Sequence, residues 1–90
     1  MMALGPIGII LETKLRAAFS PALLDVIDES HQHHGHSGSH PSGESHFRVK
    51  IVAEAFRGLP RVEQHRRVNA ALADELKSRV HALAIETALP

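Results

Sequence analysis

The sequence contains no cysteine. Disulfides, thiolate catalysis, cysteine-type zinc sites and any iron–sulfur site built from this chain alone are therefore excluded. Tryptophan and tyrosine are also absent, and three phenylalanines make up the whole aromatic content. Because single-stranded nucleic acids are commonly bound by stacking bases on aromatic rings, a stacking platform of that kind is nearly excluded as well.

The chain also lacks an excess of one charge and a long hydrophobic run. Ten basic residues balance ten acidic residues, which argues against a nucleic-acid coat protein or a polybasic membrane binder, although not against a local basic patch. No apolar run reaches the roughly 18 residues of a membrane span, and the N-terminal region has neither the basic start nor the cleavage site of a signal peptide. We therefore expect a single cytoplasmic domain over residues 1–90, with no membrane partner.

Histidine is the residue that stands out. Eight histidines are present, and six of them lie between His31 and His46. Residues 31–43 hold three glycines and no hydrophobic residue beyond Pro41, so we expect a flexible loop that contributes nothing to a core. Such a loop could simply be solvated, or its clustered imidazoles could bind a transition metal.

Hydrophobic periodicity predicts a small α+β domain. Hydrophobic residues alternate with polar ones from residue 46 onward, which predicts a half-buried strand with His46, Arg48 and Lys50 on its outer face. The predicted elements are a helix over 6–19, strands over 22–29, 45–56 and 80–87, a turn over 57–60 and a helix over 61–77. This order suits two helices packed on one face of a three-stranded mixed sheet.

Several short motifs in the second half of the chain point to a family. They are the Ser-His-Phe-Arg-Val strand (residues 45–49), Phe56 with Gly58, the pair His65-Arg66, the Leu-Ala-x-Glu-Leu run (residues 72–76) and His-Ala-Leu (residues 81–83). In this order and spacing they resemble the BolA family over residues 7–89. The resemblance implies an α-β-β-α-β core of the type II KH-like class, in agreement with the predicted elements.

The resemblance also implies a function. BolA-like proteins partner monothiol glutaredoxins, share a glutathione-linked 2Fe–2S cluster with them and act in iron–sulfur trafficking or iron regulation. In the family, the cluster ligands are a histidine at the start of the last strand, matched here by His81, and a histidine or cysteine in the loop between the first two strands. For the loop ligand, His33 is the best match, and His31, His34 and His36 are close alternatives.

The missing cysteine constrains how such a cluster could be held. A 2Fe–2S cluster needs four ligands, usually thiolates, so a glutaredoxin cysteine and a glutathione sulfur would have to supply two of them. Two histidines of this chain would then bind the other iron, and the isolated chain is not expected to hold the cluster by itself. Because imidazole must be neutral to bind a metal, such binding would depend on pH.

The remaining histidines have other interpretations. Considered without the family, His81 itself would be a partly buried, hydrogen-bonded residue of the last strand. His65 lies at the end of the apolar stripe of the long helix, which favours a buried structural histidine, with a supporting role toward a ligand as the alternative. We expect His46 to point outward as a bystander, and His40 to be a bystander in the loop.

A second feature is a local excess of basic residues around the start of the long helix. Its members are Arg57, Arg61, Arg66, Arg67 and, if the outer face of the strand is exposed, Lys50. They could be a solvated helix face, could meet an acidic glutaredoxin surface or glutathione carboxylates, or could contact DNA phosphates as in the bacterial BolA members described as DNA-binding transcriptional regulators. No G-x-x-G clamp occurs between the helices, where a nucleic-acid-binding KH domain would need it, and no residue set carries the signature of an enzyme active site.

Overall fold

The computed structural model describes residues 4–30 and 44–90. The predicted loop over residues 31–43 lies outside the described residues. In chain order, the described residues form α1 (Pro6–Phe19), β1 (Leu23–Asp28), β2 (His46–Val52), a 3-10 turn (Glu54–Phe56), α2 (Arg61–Ala71), α3 (Ala73–Ser78) and β3 (Ala82–Ala88).

The three strands form one mixed sheet in the order β1-β2-β3. β1 and β2 are antiparallel, with Val26 opposite Val49, whereas β2 and β3 are parallel, with Val49 opposite Ile85. A parallel neighbour requires a long crossover, which the helical segment between β2 and β3 provides. The predicted α+β class with a three-stranded mixed sheet is confirmed.

The first helix has the predicted bounds for identifiable local reasons. Pro6 occupies its first turn, where the missing N–H costs no hydrogen bond. The helix ends where Ser20 adopts a left-handed conformation with φ 45° and ψ 56° and donates its N–H to the carbonyl of Arg16. Leu11 and Leu15 are fully buried and face the sheet.

The predicted helix over residues 61–77 is broken at Leu72. This residue has φ −109° and ψ 19°, outside the helical region, and it separates α2 from α3. Its side chain is fully buried. Side chains join α3 to α1, since Lys14 Nζ donates to the two carboxylate oxygens of Glu75 at 3.0 and 2.8 Å.

One face of the sheet and the inner sides of the helices make the core. The predicted strand over residues 45–56 ends earlier, at Val52, because the chain then turns to insert Phe56, whose ring centroid lies 5.1 Å from that of Phe19. The buried core residues are Leu11, Leu15, Leu24, Val26, Phe47, Val49, Ile51, Ala53, Phe56, Val68, Leu72 and Val80.

The opposite side of the sheet carries no helix among the described residues, and we call it the open face. A row of three charged residues crosses it, since Asp25 and Glu86 both pair with Lys50 in the strand register. Lys50 is exposed there, whereas its neighbours Val49 and Ile51 are fully buried on the helix side. Within residues 4–30 and 44–90, no helix is long and apolar enough to cross a membrane.

Candidate metal-ligand site around His81

His81 lies immediately before β3 and its side chain is exposed. Its backbone N–H donates a 2.7 Å hydrogen bond to the carbonyl of Ser45, which also accepts from Ala82 at 3.2 Å. The expectation drawn without the family, a partly buried strand residue, is wrong. Ala82 is the first β3 residue in the register with β2, so His81 lies just beyond the paired part of the sheet.

The ring of His46 lies beside that of His81. The two ring centroids are 5.4 Å apart, and the rings are tilted by 50°. His46 is only 6% exposed, so the prediction that its side chain points outward into solvent is wrong. The alternation rule fails here because His46 is the first residue of β2, at the end of the sheet, where its side chain packs against neighbouring segments instead of solvent.

A pair of serines closes the end of the sheet next to these histidines, and we call it the serine clasp (Ser30 and Ser45). The Ser30 hydroxyl oxygen accepts the backbone N–H of Ser45 at 2.8 Å and that of His46 at 3.2 Å. The N–H of Ser30 is in turn bound by the Asp28 carboxylate at 2.9 Å. Both serines are buried. The clasp therefore joins the chain just before the histidine-rich residues 31–43 to the chain just after them.

The serine clasp also orients His46. The Ser45 hydroxyl and Nδ1 of His46 share a hydrogen bond of 2.9 Å. Sequence reasoning missed this arrangement because the two serines are fifteen positions apart, and no local pattern pairs them. The available signal was the Ser-His dipeptide within the family motif, which we had attributed to the strand alone.

Glu44 attaches the chain just after residue 43 to the first turn of α1. Its carboxylate accepts the N–H of Gly8 at 2.9 Å, in the first turn of α1, where Gly5 at the N-cap offers no side-chain acceptor. A Cβ atom on Gly5 would meet the carboxyl carbon of Glu44 at 2.6 Å. The absence of a side chain at Gly5 thus lets the chain after residue 43 be held against α1.

The other predicted ligands fall outside the described residues. They are His33 and its alternatives His31, His34 and His36, and the predicted bystander His40 lies there too. Within the part of the chain that is described, no group of three or more histidine, cysteine or acidic side chains could hold a metal ion.

His65 lies on α2 and not beside His81. It is half-buried on α2 and lines a cleft of about 290 Å³ with Arg61 and with the last part of β3, from Ile85 to Thr87. Along a strand, Ile85 is about 13 Å from His81 at the usual rise per residue. The structure therefore does not bring His65 to His81.

The residues of the predicted basic cluster do not form one surface, and ion pairs neutralise part of their charge. Lys50 lies on the open face, on the other side of the sheet from the helices. Arg57 binds both carboxylate oxygens of Glu54, and this hydrogen bonding raises the pKa of Arg57 and lowers the pKa of Glu54. Arg61 makes no ion pair with any described residue.

Two further arginines of the predicted cluster share one acid. Arg66 and Arg67 lie 3.8 and 3.5 Å from the two carboxylate oxygens of Glu63. On the open face, Arg48 bridges Glu29 and Glu86 with hydrogen bonds of 2.9 Å each. The hydrogen bond to Glu29 is the main cause of a raised pKa of Arg48, and the hydrogen bond to Glu86 is the second cause. On α2, the three basic side chains of Arg61, Arg66 and Arg67 thus outnumber the single carboxylate of Glu63, so the exposed side of this helix keeps a net positive charge.

Comparison with known proteins gives a consistent family. A family model described as "BolA-like protein" matches residues 15–90. The chain is 53% identical over 81 residues to an uncharacterized protein in the cobS 5' region of a Sinorhizobium species, covering 89% of this chain and 87% of that protein. It is 47% identical over 77 residues to the DNA-binding transcriptional regulator BolA of Escherichia coli (strain K12), covering 86% and 70%.

A solved structure agrees with these sequence matches. The BolA domain of SufE1 from Arabidopsis thaliana is 43% identical, with a TM-score of 0.88 over 98% of this chain and 96% of that chain. The chain belongs to the BolA-like protein family.

Proposed function

We propose that this chain is a non-catalytic partner of a monothiol glutaredoxin, with which it shares a glutathione-linked 2Fe–2S cluster in iron–sulfur trafficking or iron regulation. His81 and one of four histidines, with His33 as the first choice and His31, His34 and His36 as the alternatives, bind one iron. The observation that carries the proposal is the attachment of the exposed His81 to Ser45. Ser45 belongs to the serine clasp, which joins the two ends of the histidine-rich segment.

Chain length supports the choice of a second ligand from this segment. His33 follows Ser30 by three residues, and a fully extended chain spans about 10 Å over that distance. The alternatives His31, His34 and His36 lie between one and six residues from Ser30. All four are tied by short lengths of chain to the end of the sheet that carries His81.

The donor chemistry fits a shared cluster. The exposed His81 imidazole is accessible to a partner, and the described residues contain no larger ligand group that would bind a metal independently. Imidazole is an established ligand of one iron in Rieske-type 2Fe–2S clusters, where it raises the reduction potential relative to all-cysteine clusters. The sulfur ligands would come from the glutaredoxin and from glutathione, because this chain has no cysteine.

Visible circular dichroism tests the proposal. Titrating the chain into cluster-loaded monothiol glutaredoxin with glutathione should change the cluster's spectrum and saturate at one chain per cluster. His81→Ala should abolish the change, whereas His65→Ala should preserve it. His65 is a matched control because it lies on α2, next to the last part of β3. An unchanged spectrum with the wild-type chain would refute the partnership, and an unaffected His81→Ala variant would refute the ligand.

A second candidate function is DNA binding, supported by the identity to a protein named as a DNA-binding transcriptional regulator. The exposed side of α2, with Arg61, Arg66 and Arg67, is the surface that would contact phosphates. We expect DNA affinity to fall with salt and Arg61→Glu to weaken it, whereas Lys50→Glu on the open face should have little effect. Equal effects of the two substitutions in a fluorescence-anisotropy titration would exclude α2 as the DNA-binding surface.

A further inference from the structure

We infer that His46 is a positioning residue for His81: its buried imidazole holds the exposed ring of His81 in the orientation needed to bind iron. This inference rests on the proposed role of His81 as a ligand. The alternation of β2 would place the His46 side chain in solvent. The burial and the contacts of His46 support the positioning role instead.

His46 is itself held in place. The side chain is 6% exposed, and its Nδ1 shares a 2.9 Å hydrogen bond with the Ser45 hydroxyl. Its backbone N–H donates to Ser30, and its carbonyl accepts the N–H of Glu29 at 2.8 Å. With backbone and ring both fixed, His46 provides a rigid surface at the end of the sheet.

His81 is held mainly through its backbone. Its N–H is bound by Ser45, but its exposed side chain would otherwise exchange among staggered rotamers. The ring of His46, 5.4 Å away between centroids and tilted by 50°, occupies one side of the space in which the His81 ring turns. The contact therefore restricts the χ1 and χ2 angles of His81.

Burial separates the two histidines into different roles. A cluster carried by a partner protein must meet an accessible side chain, and His81 is exposed whereas His46 is not. Ligands that are oriented by neighbouring groups bind metals more tightly, and loss of such a neighbour typically costs 10–100-fold in affinity. We expect His46→Ala to weaken the complex with cluster-loaded glutaredoxin by roughly tenfold.

Two substitutions at this position separate packing from ligation. His46→Phe keeps a planar ring against His81 and removes both nitrogens. His46→Asn keeps a hydrogen-bonding group for the Ser45 hydroxyl and removes the ring. Positioning through ring contact predicts that the affinity of His46→Phe for cluster-loaded glutaredoxin stays within about threefold of the wild type. The affinity of His46→Asn should instead fall as far as that of His46→Ala, because the contact with the ligand's ring is lost in both.

The experiment combines two measurements on folded variants, checked by far-ultraviolet circular dichroism. Three-bond NMR couplings in the isolated chain report the χ1 distribution of His81, and visible circular dichroism reports binding of cluster-loaded monothiol glutaredoxin with glutathione. We expect His81 to have one dominant χ1 rotamer in the wild type and in His46→Phe, and several exchanging χ1 rotamers in His46→Asn and His46→Ala. His46→Asn and His46→Ala should also bind cluster-loaded glutaredoxin more weakly, but reach the wild-type spectrum at saturation.

Two results would overturn the inference. If His46→Phe loses the cluster signal as completely as His81→Ala, His46 is a ligand. If χ1 of His81 and the binding affinity are unchanged in His46→Ala, the two rings are merely neighbours. Failure of the proposed function is distinguishable, because a wild-type chain that leaves the glutaredoxin spectrum unchanged would still show the rotamer effect in the isolated chain.

Discussion

A histidine lies near each end of β3, and the two histidines have different surroundings. At the first end, His81 is exposed, attached through its backbone to the serine clasp and packed against the buried ring of His46. At the other end, His65 lines a cleft with Arg61 and residues of β3, on a helix rather than beside a second histidine. The comparison shows that the exposure and the neighbours of a histidine add information that its place in a motif does not give.

The largest expected effect concerns the source of the second ligand at the His81 end. Replacing His31, His33, His34 and His36 together by alanine should abolish the visible circular dichroism change with cluster-loaded glutaredoxin, because His81 alone leaves the iron one ligand short. Restoring His33 in that background should recover the signal. Full retention of the signal in the fourfold variant would show that none of these four histidines is the second ligand.

The next effect concerns the serine clasp. Ser30→Ala removes a buried hydroxyl that accepts the N–H groups of Ser45 and His46, and the loss of this buried acceptor should cost about 1–3 kcal/mol of unfolding free energy. Chemical denaturation measures the loss. Ser78→Ala is the control, because that hydroxyl is exposed and bonds only within α3, so its effect should stay within about 0.5 kcal/mol.

A smaller effect is expected at the attachment of Glu44 to α1. Glu44→Ala removes the acceptor of the Gly8 N–H and should cost about 1 kcal/mol, as for a lost helix cap. Gly5→Ala should also destabilise, since the new Cβ would collide with the Glu44 carboxylate. In a double-mutant cycle, Gly5→Ala should cost less when Glu44 is already alanine. Strict additivity would show that the two residues do not interact.

The smallest effect belongs to the other end of the sheet, at the turn before α2. The hydrogen bond from Arg57 lowers the pKa of Glu54 below its ordinary value of 4.5. A lowered pKa in the folded state stabilises the protein above pH 4.5 and loses that stabilisation as the pH falls through the folded-state pKa. The stability difference between the wild type and Glu54→Gln should therefore be small at pH 6, since both side chains are exposed, and should shrink as the pH falls below 4.5. A difference that grows toward low pH would contradict this account.

Regular hydrophobic spacing explains why the fold was predictable. α1, the three strands and their order follow from periodicity and from the stop signal at Ser20, which are local properties of the sequence. The break at Leu72 was not predictable in this way, because no glycine or proline marks it and Leu72 continues the apolar stripe of Val68 and Leu76.

The candidate site was predictable only in part. The family motif indicated His81, whereas the burial of His46 arises from contacts between segments that are distant in sequence. The serine clasp joins residues fifteen positions apart, and strand alternation carries no information about such contacts. Likewise, Lys50 was grouped with the arginines of α2 by charge, although strand parity places it on the open face.

The central claim is that His81 and one of His31, His33, His34 and His36 bind the same cluster. The most direct measurement is pulsed electron paramagnetic resonance of the reduced complex, with this chain labelled with 15N-histidine and the glutaredoxin unlabelled. The account predicts strong 15N couplings from two histidines in the wild type and from no more than one in His81→Ala. An absence of 15N coupling in the wild-type complex, or unchanged couplings in His81→Ala, would contradict it.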